Sequence, residues 1–383
     1  MVLDKKLHII SFDIPYPANY GGVIDVYYKL VWLNRAGVKI TLHCFEYGRK
    51  HAKELEALCE KVYYYPRKTG IMSMLSILPY TVKSRMSGAL IKNLKKDEAP
   101  VLCEVLHTCG ILDHPELKHR FKIFRHSNIE HDYYNALAKA EKKLSKKIFL
   151  YAEAWKLKRF EKTIRHAHLI LAVNENDAAY FKKQYPEVPC EYLPSFHESE
   201  NVTGLPGKGE YILFHGNLSV IENQKAALWL IKNVFSKISL PVIIAGLKPS
   251  VKLRRKIEPF EHIDLIPNPS HDKMQELIQN AHQHILFTHQ ATGLKLKLLN
   301  VLYSGRFVVC NTKMIEGSGL RSTSGLDVCN NAQEMREAIS KNSNLLFSTS
   351  DLHTRQEICQ PFNNQLNTQK LIDLVFKTRP KTL

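Results

Sequence analysis

Two glycine-containing turns carry the residue types that bind phosphate groups. They are Gly21-Gly22 and Thr292-Gly293-Leu294, and each precedes a stretch with helical periodicity. Glycine lets the backbone approach a ligand closely, and the positive end of a helix dipole favours an anion. Turns of this kind suit an anionic ligand. A tight strand-to-helix turn explains Gly21 and Gly22 equally well on its own, but the second turn in the same context favours binding.

Two lysines, Lys295 and Lys297, lie beside the second turn. A lysine in the first turn of a helix opposes the helix dipole, so this placement is unfavourable unless an anion lies nearby. We therefore predict that Lys297 contacts a bound anion. For Lys295 the alternative, a solvated residue of an amphipathic first turn, is equally consistent with the sequence.

Histidines follow two of the expected strands. His107 comes directly after a strand that ends near residue 106, and Glu130 and His131 follow a strand at 122–124. Because histidine titrates near neutral pH, His107 and His131 are candidates for a general base or for a contact with a substrate. The alternative, in which His126 and His131 hydrogen-bond loop backbone, stays open.

Apolar strand-like runs alternate with amphipathic stretches along the chain, which is typical of α/β proteins with parallel sheets. A single long helix is expected over about residues 132–166, and the polar, Pro- and Gly-containing stretch at 193–209 has the composition of a linker. We predict four segments: an N-terminal Rossmann-like domain at 1–195, a linker at 196–209, a second Rossmann-like domain at 210–360 and a C-terminal helix at 361–383. In open α/β sheets ligands bind beyond the carboxyl ends of the strands, so two facing domains would form one cleft.

Composition limits the class of protein. The 383 residues are 44% hydrophobic and 24% charged, which excludes a disordered chain, and no apolar run is long enough to cross a bilayer. The N-terminus lacks the pattern of an export signal, and the eight scattered cysteines form no CxxC pair. A reducing cytoplasm is the expected compartment.

The net charge of +17 indicates an anionic partner. Seven Lys or Arg and no acids lie between Arg67 and Lys96, around the apolar segment 71–80, and ten bases against three acids lie between Lys139 and Arg165. Basic and apolar residues together suit the surface of an anionic membrane, so peripheral contact with the inner face of the cell membrane is expected. Nucleic acid would explain the charge but not the apolar segment, and solvated lysines remain the simplest reading of individual positions.

Four motifs in order resemble those of retaining glycosyltransferases of the glycosyltransferase-B fold, in particular the family-4-like bacterial sugar transferases for surface polysaccharides. The motifs are Asp13 to Gly22, Arg125 to His131, Phe214 to Leu218 with Gly216 and Asn217, and Thr292 to Leu302 with Gly305. The resemblance implies two Rossmann-like α/β/α domains that face each other across a cleft. The N-terminal domain would bind a glycan or lipid-linked acceptor, the second a UDP- or GDP-sugar donor, and the C-terminal helix would pack back on the first.

The resemblance also implies roles for individual residues. Lys297 would neutralise the charge that develops on the leaving nucleotide, His107 would contact the donor sugar, and Asn300 would take the position that binds the ribose hydroxyls. No cofactor is expected, and no metal, because the sequence has no HExxH motif, EF-hand loop or Asp-x-Asp pair. The oligomeric state is not indicated.

The sequence departs from the family at several of these positions. Two glutamates of the family motif correspond to Gly293 and Asn300, and a basic pair that often follows the glycine of the second domain corresponds to Asn217 and Glu222. An amide at position 300 can still bind a ribose but loses a charge-assisted hydrogen bond, a difference on the order of 1 kcal/mol. Three hypotheses follow: a glycosyltransferase, a nucleotide-sugar or glycan-binding protein of the same fold without turnover, and a basic nucleic-acid-binding protein.

Overall fold

The computed structural model describes residues 5–290 and 293–377. The chain divides into two compact units. The first unit comprises the residues up to His197 together with those from Asn364 onward, and the second unit is Glu198–Asn363. Each unit has a parallel sheet with helices around it, so the predicted α/β class with two parallel-sheet domains is confirmed.

All strands of the two sheets run parallel. The strands of the first unit are β1 Lys6–Ser11, β2 Lys39–Glu46, β3 Lys61–Pro66, β4 Val101–Glu104, β5 Lys122–Arg125, β6 Leu169–Ala172 and β7 Cys190–Tyr192. Those of the second unit are β8 Ile212–Asn217, β9 Val242–Leu247, β10 Ile263–Pro267, β11 Gln283–Leu286, β12 Phe307–Asn311 and β13 Leu326–Cys329. Parallel strands are covered on both faces, which explains why β4, β5, β6, β11 and β12 are buried along their full length.

Helices connect the strands. In chain order they are α1 Gly21–Arg35, α2 Lys53–Leu58, α3 Ile71–Met74, α4 Tyr80–Lys83, α5 Gly88–Leu94, α6 Glu130–Ala140, α7 Leu144–Phe160, α8 Glu175–Gln184, α9 Ile221–Asn233, α10 Val251–Ile257, α11 His271–Asn280, α12 Leu296–Ser304, α13 Thr312–Ile315, α14 Ala332–Ser343, α15 Thr349–Cys359 and α16 Asn364–Phe376. Short 3₁₀ turns add Leu106–Ile111, Pro115–Leu117 and Glu161–His166 in the first unit, and Phe235–Lys237 and Gln360–Phe362 in the second.

The single long helix expected at about 132–166 is wrong. The chain breaks between α6 and α7, where Glu141 leaves the helical conformation with ψ 134°. Its carboxylate accepts the backbone N–H groups of Lys142 and Lys143 at 2.8 and 2.9 Å. This side chain thus satisfies the two amide groups of the short connection between α6 and α7.

The core of the first unit lies on both faces of its sheet. One cluster contains Ile10, Phe45 and Phe124, and the other contains Ile9, Leu42 and Ile123, as expected for strands whose successive side chains point to opposite faces. Helix α16 joins the second cluster through buried Leu371, Ile372 and Val375. The last helix of the described chain is thus part of the core of the first unit.

The strand orders place a topological switch point in each sheet. In the first unit the order is β3-β2-β1-β4-β5-β6-β7, so the direction of chain progression reverses between β1 and β4. In the second unit the order β10-β9-β8-β11-β12-β13 reverses between β8 and β11. Ligands of open α/β sheets bind beyond the carboxyl ends of the strands at such points. The loops after β1, β4, β8 and β11 are therefore where a site is expected.

Candidate functional site

In the second unit, the turn after β8 is held by its own side chains. Asn217 ends the strand, and its Oδ1 accepts hydrogen bonds from the backbone N–H of Ser219 at 3.1 Å and from its hydroxyl at 2.6 Å. The Asn223 amide donates to the Asn217 carbonyl at 3.0 Å. Gly216 and Asn217 thus lie at the switch point, and the Asn217 side chain orders the turn that leads into α9.

Glu222 connects this turn to the loop after β11. Its Oε1 accepts the backbone N–H of His289 at 2.6 Å and the Thr288 hydroxyl at 3.2 Å. Asn311 holds the same loop by accepting the Thr288 N–H at 3.2 Å and donating to the Thr288 carbonyl at 2.8 Å. Glu222 therefore positions the loop, and the sequence alone did not predict this role.

Lys297 is a cation at this edge of the second sheet. It is the second residue of α12 and partly buried, with Nζ 5.7 Å from the centre of the Phe214 ring and 3.5 Å from Asn223 Oδ1. Burial and, to a smaller extent, the charge of Lys295 lower the pKa of Lys297 to about 8, and Glu222 partly opposes this shift. A cation held in this way lacks a full counter-charge, as expected for a lysine that binds an anionic ligand.

His215 lies one residue before the β8 turn and is buried. Burial, with the nearby charge of Lys297, lowers the pKa of His215 to about 3, so its ring is neutral at neutral pH. Its Nδ1 has no hydrogen-bond partner among the described residues. His215 belongs to the motif Phe214 to Leu218, but the sequence did not predict it as a site residue.

The turn before α12 contains the other predicted donor residues. Gly293 has φ 61°, in the left-handed region that residues with a side chain rarely adopt. Leu294 packs against the core of the second unit, and the Lys295 carbonyl accepts the first helical bond of α12, from Leu298 N–H at 2.8 Å. Thr292 lies outside the described residues.

Asn300 lies in the middle of α12. It is partly exposed, whereas its neighbours Leu299 and Val301 are fully buried. The Asn300 side-chain amide has no side-chain hydrogen-bond partner among the described residues, so it does not stabilise the fold through such a bond.

In the first unit, Gly21 and Gly22 open α1. Val23 and Ile24 donate their N–H groups to the Tyr20 carbonyl, so the amides of Gly21 and Gly22 are the open donors of this first turn. A Cβ on Gly22 would come within 2.8 Å of the Phe12 ring. Packing against Phe12 thus gives Gly22 a structural role beside the predicted binding role.

His107 emerges from a strained turn after β4. Val105 has φ 58°, which is unusual for a β-branched residue and costs on the order of 1 to 3 kcal/mol. The turn places His107 Nε2 3.2 Å from Oε2 of Glu130, the first residue of α6, which follows the neighbouring strand β5. Such strain concentrates at functional sites. His107 and Glu130 are brought together.

A cavity of about 180 Å³ lies beside His107, and Arg85, Ser87 and His114 also line it. Arg85 is buried, and its Nε donates to the Phe12 carbonyl at 2.8 Å. Burial and the nearby Arg67 lower the pKa of Arg85 to about 10, so it stays charged at neutral pH. The sequence indicated a basic stretch without acids around Arg85. It did not predict that Arg85 itself is part of a site.

His131 is engaged in a different hydrogen-bonded cluster. Its Nδ1 lies 3.0 Å from Glu161 Oε2, and Lys158 Nζ donates to its Nε2 at 3.2 Å. Tyr180 adds a hydrogen bond to Glu161 at 2.6 Å. Because both ring nitrogens of His131 have partners, the structure separates it from the His107 pair, and its catalytic role stays a prediction. His126 is buried with its ring 4.9 Å from that of Phe181.

Within residues 5–290 and 293–377, no group of three or more His, Cys, Asp or Glu side chains is arranged to hold a metal ion. In the same part of the chain, no helix is long and apolar enough to cross a membrane.

Known proteins resemble the chain in sequence and in structure. No family model matches it. A Klebsiella pneumoniae protein described as an uncharacterized 44.6 kDa protein in the cps region is 28% identical over 342 residues, covering 85% of this chain and 87% of that protein.

Solved structures match nearly the whole chain. A TarM variant of S. aureus, in complex with fondaparinux, alpha-GlcNAc-glycerol and UDP, has a TM-score of 0.66 at 11% identity, covering 97% of this chain and 100% of that one. Anabaena HepE, in complex with UDP and glucose, has a TM-score of 0.65 at 10% identity, with coverage of 97% and 100%. Sucrose-phosphate synthase from Thermosynechococcus elongatus has a TM-score of 0.62 at 11% identity, with coverage of 97% and 96%.

The chain has the glycosyltransferase-B fold. This confirms the fold predicted from the four motifs. In the glycosyltransferase-B fold of this chain, the predicted donor residues Gly216, Asn217, Gly293 and Lys297 lie at the switch point of the second sheet, and Gly21, Gly22 and His107 lie at that of the first.

Proposed function

We propose that the protein transfers a sugar from a nucleotide-sugar donor to a glycan or lipid-linked glycan acceptor. The observation that carries the proposal is Lys297, a partly buried cation beside the Gly293 turn at the switch point of the second sheet. The complexes of HepE with UDP and glucose and of TarM with UDP support a nucleotide-sugar donor. The cps region named for the Klebsiella relative fits polysaccharide biosynthesis.

The proposed donor site is the edge formed by the β8 turn, the loop after β11 and the start of α12. The amides at the start of α12 and the Lys297 ammonium bind the diphosphate, and Asn300, one helical turn further on, faces the ribose. As the bond to the sugar breaks, negative charge grows on the leaving phosphate. Lys297 stabilises that charge and therefore acts mainly in the transition state.

The proposed acceptor side is the edge of the first unit around His107. Arg85 and His114 line the cavity there, and the Glu130 carboxylate lies 3.2 Å from His107 Nε2. A glycan hydroxyl in this cavity finds hydrogen-bond partners, and Gly21 and Gly22 offer backbone N–H groups. We further propose that transfer retains the anomeric configuration and needs no metal. Lys297 and the N-terminus of α12 would take the place of a metal ion. The proposed location is the cytoplasm, at the inner face of the cell membrane.

The proposal is tested with a panel of UDP-, GDP- and other nucleotide sugars. Specific thermal stabilisation by one donor, followed by slow release of its sugar in the absence of acceptor, is the expected result. The anomeric coupling constant of the product, measured by NMR, tests retention, and unchanged turnover in EDTA tests metal independence. Stabilisation without any turnover over a range of glycan acceptors would contradict catalysis.

A second candidate is nucleotide-sugar or glycan binding without turnover. It is favoured by Gly293 and Asn300, which stand where the resembling enzymes carry carboxylates. The same panel separates the two, because this candidate predicts binding with no release of the donor sugar.

A further inference from the structure

Helix α7 has two apolar faces. One faces inward, with Ala154 and Leu157 buried. The other consists of Leu144, Ile148, Tyr151 and Trp155, which are between 40% and 70% exposed. Their spacing of four, three and four residues places them on one line of a helix that advances about 100° per residue. Hereafter we call these four residues the α7 stripe.

Basic side chains border the α7 stripe on both sides. By the same rotation, Lys147 and Lys158 lie along one side of it and Arg159 along the other. The Arg159 guanidinium lies 4.7 Å from the Trp155 ring. An exposed apolar row with cations at its borders is the pattern of a helix that lies in a membrane interface, with apolar side chains among acyl chains and cations at the headgroups.

A second exposed apolar segment lies beside α7. Ile71, Met72, Leu75 and Ile77, in and after the short helix α3, are between 72% and 84% exposed. We call these four residues the α3 cluster. Two hydrogen bonds hold this segment to α7: Lys156 Nζ donates to the Met74 carbonyl at 3.2 Å, and Tyr80 N–H donates to Glu153 Oε2 at 2.6 Å. These bonds attach the segment that carries the α3 cluster to the side of α7 formed by Glu153 and Lys156.

A cationic groove of about 400 Å³ is lined on one side by Ile77 of the α3 cluster and on the other by Arg159, which borders the α7 stripe. Ile77 and Leu78 line its apolar side, and the bases Lys156, Arg159, Lys162 and Arg165 line the other, with the single carboxylate Asp113. Bases beside exposed apolar groups are complementary to a phosphate headgroup with its acyl chains. Nucleic acid would leave the eight exposed apolar side chains without partners.

We propose that the α7 stripe, the α3 cluster and the groove between them form a surface that binds an anionic phospholipid bilayer. The apolar side chains insert into the interface, and the groove bases contact lipid phosphates. This gives the peripheral location in the proposed function a defined surface, but it does not depend on sugar transfer.

Sedimentation of the full-length protein with vesicles tests the surface without nucleotide sugar or turnover. The protein is expected to bind vesicles of phosphatidylcholine with phosphatidylglycerol and to bind phosphatidylcholine alone much more weakly. Each base near an anionic surface contributes on the order of fivefold in affinity, so Arg159→Gln with Lys162→Gln and Arg165→Gln, which leaves the Lys156 bond to the Met74 carbonyl intact, should reduce binding on the order of 100-fold. The matched control, Arg254→Gln with Arg255→Gln and Lys256→Gln, removes the same charge from exposed positions of α10 and should change binding far less.

Insertion is tested separately from charge. Brominated lipid should quench Trp155, and Trp155→Phe should remove that quenching while binding is retained. Leu144→Ser with Ile148→Ser should weaken binding at unchanged net charge, whereas Val251→Ser, at an exposed apolar residue of α10, should not. Circular dichroism melting confirms that the variants are folded.

Three outcomes would overturn the proposal. Equal losses in the groove and α10 charge variants would mean attraction by overall charge alone. A dimer in light scattering that Leu144→Ser with Ile148→Ser disrupts, without vesicle binding, would assign the stripe to a second copy of the chain. Binding of nucleic acid at 150 mM salt that depends on the groove bases, without vesicle binding, would assign the groove to nucleic acid.

Discussion

Lys29 Nζ lies 2.6 Å from Glu104 Oε1, and both side chains are almost completely buried. Asp25 and Arg125 complete the group: Arg125 bonds to Asp25 at 3.2 Å and to the Pro194 carbonyl at 2.9 Å. This cluster joins α1, the ends of β4 and β5, and the chain that leaves the first unit. The cluster fixes the end of β4, the strand that precedes His107. Two buried acids and two buried bases therefore stabilise this edge of the first sheet.

Replacing Lys29 by Met should destabilise the protein by about 3 to 5 kcal/mol, because Glu104 would remain buried without its counter-charge. Urea unfolding measures the change. Lys53→Met, at an exposed position, should change stability by less than about 0.5 kcal/mol. Adding Glu104→Leu to Lys29→Met should restore most of the loss, and a double variant as unstable as the single one would contradict the pairing.

Replacing Lys297 by Met should stabilise the free protein and weaken donor binding. A pKa of about 8 against 10.5 for an ordinary lysine means that the charged form costs stability below about pH 8. The full shift corresponds to about 3 kcal/mol, and solvent at this partly exposed side chain reduces the gain to on the order of 1 kcal/mol. Thermal unfolding and donor titration measure the two effects. A less stable Lys297→Met variant with unchanged binding would remove Lys297 from the site.

Donor affinity should decrease as the pH rises above about 8. The diphosphate binds the protonated Lys297, which is the prevailing form below its pKa of about 8 and is lost above it. Affinity should therefore approach a tenfold loss per pH unit above that value. Titration calorimetry between pH 7 and 9.5 measures it. Lys297→Arg keeps its charge throughout this range and should abolish the pH dependence; if the decrease persists in that variant, another group titrates.

Asn300→Glu tests the ribose position. Asn300 is partly exposed, so a carboxylate there avoids the cost of a buried charge, and the melting temperature should stay within a few degrees of the wild type. Affinity for the nucleotide should hold or increase modestly, by about 1 kcal/mol, because ribose hydroxyls donate more strongly to a carboxylate. Leu299→Glu, at the buried neighbouring position, is the contrasting control and should unfold the protein. Loss of nucleotide binding in a stable Asn300→Glu variant would place the ribose elsewhere.

His107 and His131 should behave differently when replaced by Gln. His107→Gln removes the ring that faces Glu130 and the cavity, so turnover should decrease at least tenfold with donor affinity to the second unit nearly unchanged. His131→Gln disrupts the Glu161 and Lys158 hydrogen bonds and should lower stability by about 1 to 2 kcal/mol. Turnover kinetics and thermal unfolding separate the two roles. The reverse pattern would make His131 the functional residue.

The sequence by itself determined the alternation of strands and helices, because buried parallel strands require continuous apolar runs such as those of β6 and β12. It also located the Gly293 turn, whose left-handed backbone explains the glycine, and the cation at Lys297. These are local properties, readable from residue type and spacing. The order of strands, which brings the β8 turn to the loop after β11, is a tertiary property that spacing does not contain.

Only the tertiary structure decided the partners of charged groups. Nothing in the spacing of Lys29, Glu104 and Arg125 indicates a buried cluster, because their contacts join residues 75 and 100 positions apart. In the same way, folding engages both nitrogens of His131 but leaves His107 facing a cavity, although both histidines follow strands in the sequence. The role of a titratable side chain depends on its burial and on its neighbours, and these are set by the packing of distant segments.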